Sequence, residues 1–136
     1  MKVHHIGYAV KEIEPAISKF VALGFSPTGV PCKDEKRNVI IQFMEHEELR
    51  IELISPLKES SPVSRFLAKA GNSPYHFCFE VEEIDEVVAS FQAQKYLVIE
   101  PPNPSLALGG RKVAFLFNKD IGLIELLEKT PFGGKA

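Results

Sequence analysis

The chain has few cysteines, no excess of either charge and no long apolar run, and each shortage removes a class of protein. Two cysteines, Cys32 and Cys78, in 136 residues are too few for a disulfide-built scaffold. Sixteen Lys and Arg stand against 18 Asp and Glu, a net charge of −2. That balance offers no basic field for a phosphate backbone, so no nucleic-acid partner is expected. No apolar run approaches the roughly 18 residues of a membrane span, and the N-terminus lacks a signal-peptide pattern. The expectation is a cytoplasmic protein with no membrane partner. What is present is an apolar fraction of 45%, enough to build a core without staples. Ten prolines and nine glycines are spread along the chain, with no low-complexity tract.

The chain repeats itself. His5-Ile6-Gly7-Tyr8-Ala9-Val10 recurs as His76-Phe77-Cys78-Phe79-Glu80-Val81, 71 positions on. The register continues through Glu12/Glu83, Ile13/Ile84, Ile17/Val88, Phe20/Phe91, Ala22/Ala93 and Phe25/Tyr96. Arg50-Ile51-Glu52-Leu53-Ile54 then matches Leu123-Ile124-Glu125-Leu126-Leu127 at an offset of 73, a drift that one loop indel explains. The expected organisation is a single domain over 1–136, with copies at 3–57 and 74–129 joined by a linker at 58–73.

Each copy has the same pattern. Alternating apolar residues predict a strand over 3–10 and again over 75–81. Helices are expected over 13–23 and 84–95. Ile13, Ile17, Phe20 and Val21 mark the apolar face of the first; Ile84, Val87, Val88 and Phe91 mark that of the second. Gly24 ends the first helix. Three strands close each copy, over 26–30, 38–44 and 49–55, then over 98–100, 112–117 and 123–127. A short helix over 62–70 is expected in the linker. The class is therefore α+β, two tandem βαβββ modules whose mixed sheet is covered by helices on one side. The uncovered faces are expected to line a cup, within one chain or across two.

Four polar residues stand out on the uncovered side. If the first helix covers Ile6, Tyr8 and Val10, alternation turns His5, and by the repeat His76, to the opposite face. Glu52 and Glu125 lie between Ile51 and Leu53 and between Ile124 and Leu126, and so face away from the helices as well. A carboxylate in so apolar a strand is costly unless something pairs with it. One strand histidine taken alone is ordinarily a satisfied core or surface residue. A histidine and a glutamate each recurring at the same place in both copies point instead to a central metal site. A set of two His and two Glu suits Zn, Ni, Co, Mn or Fe better than Mg or Ca. His4 and His46 have no histidine at the matching position and are expected to be non-ligands.

The chain resembles the vicinal oxygen chelate superfamily, the glyoxalase/bleomycin-resistance fold. Within it the chain is most like the methylmalonyl-CoA epimerase branch, with glyoxalase I (lactoylglutathione lyase) second. The residues that carry the resemblance are His4-His5-Ile6-Gly7-Tyr8-Ala9-Val10, Ile51-Glu52-Leu53-Ile54-Ser55-Pro56-Leu57, Ser61-Pro62-Val63 with Phe66-Leu67, Tyr75-His76, Gly109-Gly110-Arg111-Lys112-Val113-Ala114-Phe115-Leu116, and Gly122-Leu123-Ile124-Glu125-Leu126. The resemblance implies His5, Glu52, His76 and Glu125 as ligands of one divalent transition metal (Co, Zn, Ni or Mn) per site. It also implies a homodimer and a small-molecule substrate, an acyl-CoA thioester. Three departures from the epimerase pattern stand out: Tyr75 before His76, Phe117-Asn118 in the stretch leading to the last strand, and Ile41 near the place of a carboxylate base.

The implied activity is a metal-dependent isomerase that removes the proton alpha to a thioester carbonyl. Glu125 is the leading candidate for base, and Glu52 for the second acid–base group. The alternatives are glyoxalase-type isomerisation and a non-enzymatic small-molecule-binding member of the fold. Gln42 is read either as a hydrogen-bonding partner of substrate or as an ordinary strand residue. Cys78 shares the face of His76 and is expected to be a buried thiol. Cys32 is expected in a loop and Gly109-Gly110 in a turn. Lys58, Arg65, Lys69, Arg111 and Lys112 are expected to be scattered surface charges.

Overall fold

A computed structural model describes residues 1–129. The end of the expected single domain, 130–136, lies outside these residues. The described chain divides into two compact units, one of His5–Tyr75 and the other of Met1–His4 with the chain from His76 onward.

The first copy runs β1 (Lys2–Ala9), α1 (Ile13–Ala22), β2 (Ser26–Asp34), β3 (Val39–His46) and β4 (Leu49–Pro56). Its strands lie in the order β2-β3-β4-β1. β1 is parallel to β4, in the register Gly7↔Glu52 and Tyr8↔Leu53, and the other pairings are antiparallel. The linker helix α2 (Pro62–Ala70) turns Val63 and Leu67 inward and packs on β4. The second copy repeats the scheme with β5 (Ser73–Val81), α3 (Ile84–Ala93), β6 (Leu97–Pro104), β7 (Lys112–Asn118) and β8 (Gly122–Glu128). Its order is β6-β7-β8-β5, with β5 parallel to β8. Both copies are βαβββ modules with mixed pairing, and the fold is α+β as expected.

In each copy the helix covers one face of the strands. Ile13, Ile17 and Phe20 of α1 pack with Tyr8, Val10, Met44, Ile51 and Leu53. Ile84, Val87, Val88 and Phe91 of α3 pack with Phe79, Val81, Leu116, Ile124 and Leu126. Burial of this kind contributes about 25 cal/mol per Å² of apolar surface, the main force holding helix to strands. Val21 departs from expectation: it is 48% exposed, and Ala16 takes its place against the core.

The helices end alike. After α1, Gly24 N–H donates to Val21 O and Phe25 N–H to Phe20 O; after α3, Lys95 N–H donates to Gln92 O and Tyr96 N–H to Phe91 O. This doubly bonded helix end needs a left-handed residue at its centre. Gly24 supplies it at φ +103°, and Lys95 at φ 73°.

The outer strands are longer than expected. β2 continues to Asp34, past a register shift between Thr28 and Cys32, so Cys32 lies in a strand opposite Ile41 and not in a loop. β6 continues to Pro104 through shifts at Val98/Glu100 and Glu100/Asn103. Proline cannot donate to a ladder, so Pro101 and Pro102 are tolerated where the pairing is irregular. A single 3₁₀ turn, Leu106–Leu108, precedes Gly109 and Gly110, both at positive φ. No helix among the described residues is long and apolar enough to cross a membrane.

Candidate metal-ligand pairs

The strand alternation that sends apolar residues under the helices turns four polar residues the other way. In the first module Ile51 and Leu53 join the α1 core, and Glu52 between them faces away, 4% exposed. His5, on β1, is 1% exposed, and its Nε2 stands 3.6 Å from Glu52 Oε1. In the second module Ile124 and Leu126 join the α3 core, leaving Glu125 on the opposite face. His76 Nε2 is 2.9 Å from Glu125 Oε1, with both side chains buried. Each module thus carries a buried pair of metal-ligating type, one imidazole and one carboxylate. The donor chemistry fits a divalent transition metal, since imidazole and carboxylate are both common ligands of such ions. A carboxylate removed from water costs several kcal/mol unless compensated, and a cation supplies that compensation.

One further residue shares each pair's surroundings. Phe43 lies directly opposite Glu52 across β3 and β4, and Phe115 directly opposite Glu125 across β7 and β8. The rings of His5 and Phe43 meet edge to face at 5.2 Å and 77°, those of His76 and Phe115 at 5.4 Å and 89°. The sequence pattern gave neither phenylalanine a role at the site, although Phe115 falls in a stretch that carries the family resemblance. The repeat could have found them, because they are 72 positions apart, between the offsets of the His and Glu pairs.

Other candidates fall outside the pairs. Gln42 is buried, with Leu53 opposite it in the ladder, so it faces the helix side. Its Nε2 donates to Thr28 O, Gly29 O and Phe43 O. It therefore satisfies backbone carbonyls at the β2 irregularity, the work of an ordinary strand residue. Cys78 is fully buried beside Glu125 in the β5–β8 ladder, and packs with Val113, Leu127 and Phe115. Arg111 is not a scattered surface charge: it donates to Glu128 O at 2.9 Å and to Glu80 Oε2 at 2.8 Å. His46 packs against the ring of Phe25 and close to Gly24.

The Tyr75 phenol and the Glu80 carboxylate have displaced pKa values. Burial, and secondly the charge of Glu52, push the Tyr75 phenol above its ordinary value. Glu80 feels an upward push from burial, which is outweighed by the Arg111 hydrogen bond and the charges of His4, Arg111 and Lys2. Its pKa lies below the ordinary carboxylate value.

Tandem βαβββ modules, each with a buried His–Glu pair on the face away from its helix, define a class of protein. The model of the Glyoxalase/Bleomycin resistance protein/Dioxygenase superfamily matches residues 4–115, and the chain belongs to that superfamily. Among its relatives, the mitochondrial methylmalonyl-CoA epimerase of Dictyostelium discoideum is 28% identical over 131 residues, 94% of this chain and 78% of that protein. The ethylmalonyl-CoA/methylmalonyl-CoA epimerase of Cereibacter sphaeroides is 29% identical over 92% of this chain and 96% of its own length. The crystal structure of a hypothetical protein from Bacillus halodurans has a TM-score of 0.83 and 32% identity, covering 95% of this chain and 94% of that one.

Proposed function

We propose that the protein is a metal-dependent epimerase of an acyl-CoA thioester, of the methylmalonyl-CoA type, with His5, Glu52, His76 and Glu125 as the ligands of one divalent transition metal. The observation that carries this reading is the duplicated buried His–Glu pair, four donors of a kind that hold metal ions. It is supported by similarity to epimerases of methylmalonyl-CoA and ethylmalonyl-CoA along nearly the whole chain.

The chemical problem is a C–H bond next to a thioester carbonyl, far too weakly acidic for a carboxylate acting alone. A divalent metal at these ligands would supply Lewis-acid stabilisation of the negative charge that develops on the carbonyl oxygen. The remaining work falls to side chains of this chain. Glu125 takes the proton from the alpha carbon onto a carboxylate oxygen. Glu52 in its protonated form is the second acid–base group and delivers its proton to the opposite face of that carbon, which inverts it; each carboxylate would act through an oxygen loosened from the metal. Burial of both carboxylates keeps competing water from the transfer. A homodimer and a cytoplasmic location complete the proposal.

The test is proton NMR of methylmalonyl-CoA in D₂O with metal-loaded protein. The expected result is exchange at the alpha carbon together with interconversion of the two isomers. Absence of exchange with stoichiometric metal bound overturns the epimerase reading.

A further inference from the structure

We infer that Phe43 and Phe115 are a duplicated pair of positioning residues, each fixing the ring plane of the histidine in its own module and thereby aiming that histidine's Nε2. In both modules three residues stand in line across the strands on the face away from the helix. They are Gly7, Glu52 and Phe43 in the first, and Cys78, Glu125 and Phe115 in the second. The histidine two residues before Gly7 or Cys78 lies against the phenylalanine ring. A perpendicular ring contact prefers one orientation, because the positive ring edge is drawn to the negative ring face. The outer torsion of an imidazole is broad and roughly two-fold, and it sets where Nε2 points.

The two contacts are closely alike, at 5.2 Å and 77° and at 5.4 Å and 89°, although their neighbours differ. Gly7 leaves the first line without a side chain where Cys78 supplies a buried thiol to the second. The recurring element is the ring against the imidazole. Hydrogen-bonding partners that orient a metal-binding histidine commonly alter metal affinity by about 10–100-fold, and a ring contact that sets the same torsion is expected at the low end of that range.

The metal arm of this inference rests on the proposed ligand set, and its spectroscopic arm does not. Phe43→Leu and Phe115→Leu keep an apolar side chain and remove the ring, while Phe43→Tyr and Phe115→Tyr keep the ring. In metal-free protein, the NOE signals between each histidine's ring Hδ2 and its own Hβ protons, which report the outer torsion and not the ring current, are expected to change for His5 alone in Phe43→Leu and for His76 alone in Phe115→Leu. Titration with Co²⁺ is expected to give about tenfold weaker binding for each Leu variant, with the Tyr variants near wild type. Thermal melts identify any variant that fails to fold, and Phe43→Met or Phe115→Met, which also removes the ring and keeps an apolar side chain, then takes the place of the failed Leu variant. Unchanged histidine signals and unchanged Co²⁺ affinity in both Leu variants overturn the inference. If wild-type protein binds no Co²⁺, the ligand reading fails, and the metal-free spectra still decide whether the phenylalanines orient the rings.

Discussion

The two modules keep the same polar pair and differ in what surrounds it. His5 and Glu52 stand 3.6 Å apart, His76 and Glu125 2.9 Å apart. Gly7 neighbours Glu52 where Cys78 neighbours Glu125. Gly24 ends one helix where Lys95 ends the other. Fully buried Ala9 in β1 matches Glu80 in β5, which Arg111 holds in an ion pair. A duplicated fold thus tolerates changed packing around positions whose chemistry stays fixed. The tolerant positions affect stability, and the fixed ones carry the proposed reaction.

The strongest way to break the symmetry is to remove one imidazole. His5→Ala and His76→Ala are each expected to abolish stoichiometric metal binding, because each leaves a buried carboxylate without its neighbour. Elemental analysis of purified protein checks this; full metal retention in both variants refutes the shared ligand set. Next is a difference between the carboxylates. Glu125→Gln is expected to lower turnover by about 10²–10⁴-fold, the usual scale of general acid–base catalysis, and Glu52→Gln by less. The rate of alpha-proton exchange in D₂O ranks the two, and equal losses would remove the distinction between them.

The helix ends give a smaller effect with opposite signs. A Cβ on Gly24 would lie 2.7 Å from His46 Nε2, in a backbone at φ +103°. Gly24→Ala is therefore expected to destabilise by roughly 1–2 kcal/mol. Lys95→Gly relieves a side chain at positive φ and is expected to stabilise by about 0.5–1 kcal/mol. Denaturant midpoints test both signs.

The smallest effect concerns the Glu80–Arg111 pair, which has no counterpart at Ala9. The folded state lowers the Glu80 pKa from 4.5, so it holds this proton less tightly than the unfolded chain. The resulting stability is present above about pH 4.5 and is lost as the pH falls through the lower folded value. Glu80→Gln is expected to flatten that acid limb by less than about 1 kcal/mol, since the pair is partly exposed. Thermal melts between pH 3 and 6 measure it.

Most of the architecture was legible because two periodicities coexist in one repeat. Strand alternation assigned Ile51, Glu52 and Leu53 to their faces, and helical spacing assigned Ile84, Val88 and Phe91 to theirs. Val21 fits the helical spacing yet remains exposed, because spacing does not fix how wide a stripe the core covers. The continuation of β2 past Pro31, and of β6 past Pro101 and Pro102, was hidden by residues that normally interrupt a ladder. Gln42 was ambiguous for a related reason: its value lies in carbonyls freed by the β2 irregularity, and a sequence does not display an irregular ladder.

By itself, then, the sequence determined the module, its duplication and the face on which His5, Glu52, His76 and Glu125 lie, because these follow from local alternation and from repetition at nearly constant offset. Tertiary structure decided which residues meet those four. Phe43 against His5, Phe115 against His76 and Arg111 against Glu80 are pairings between segments distant in the chain. Their partners are set by register and ring orientation, which packing fixes and periodicity does not encode.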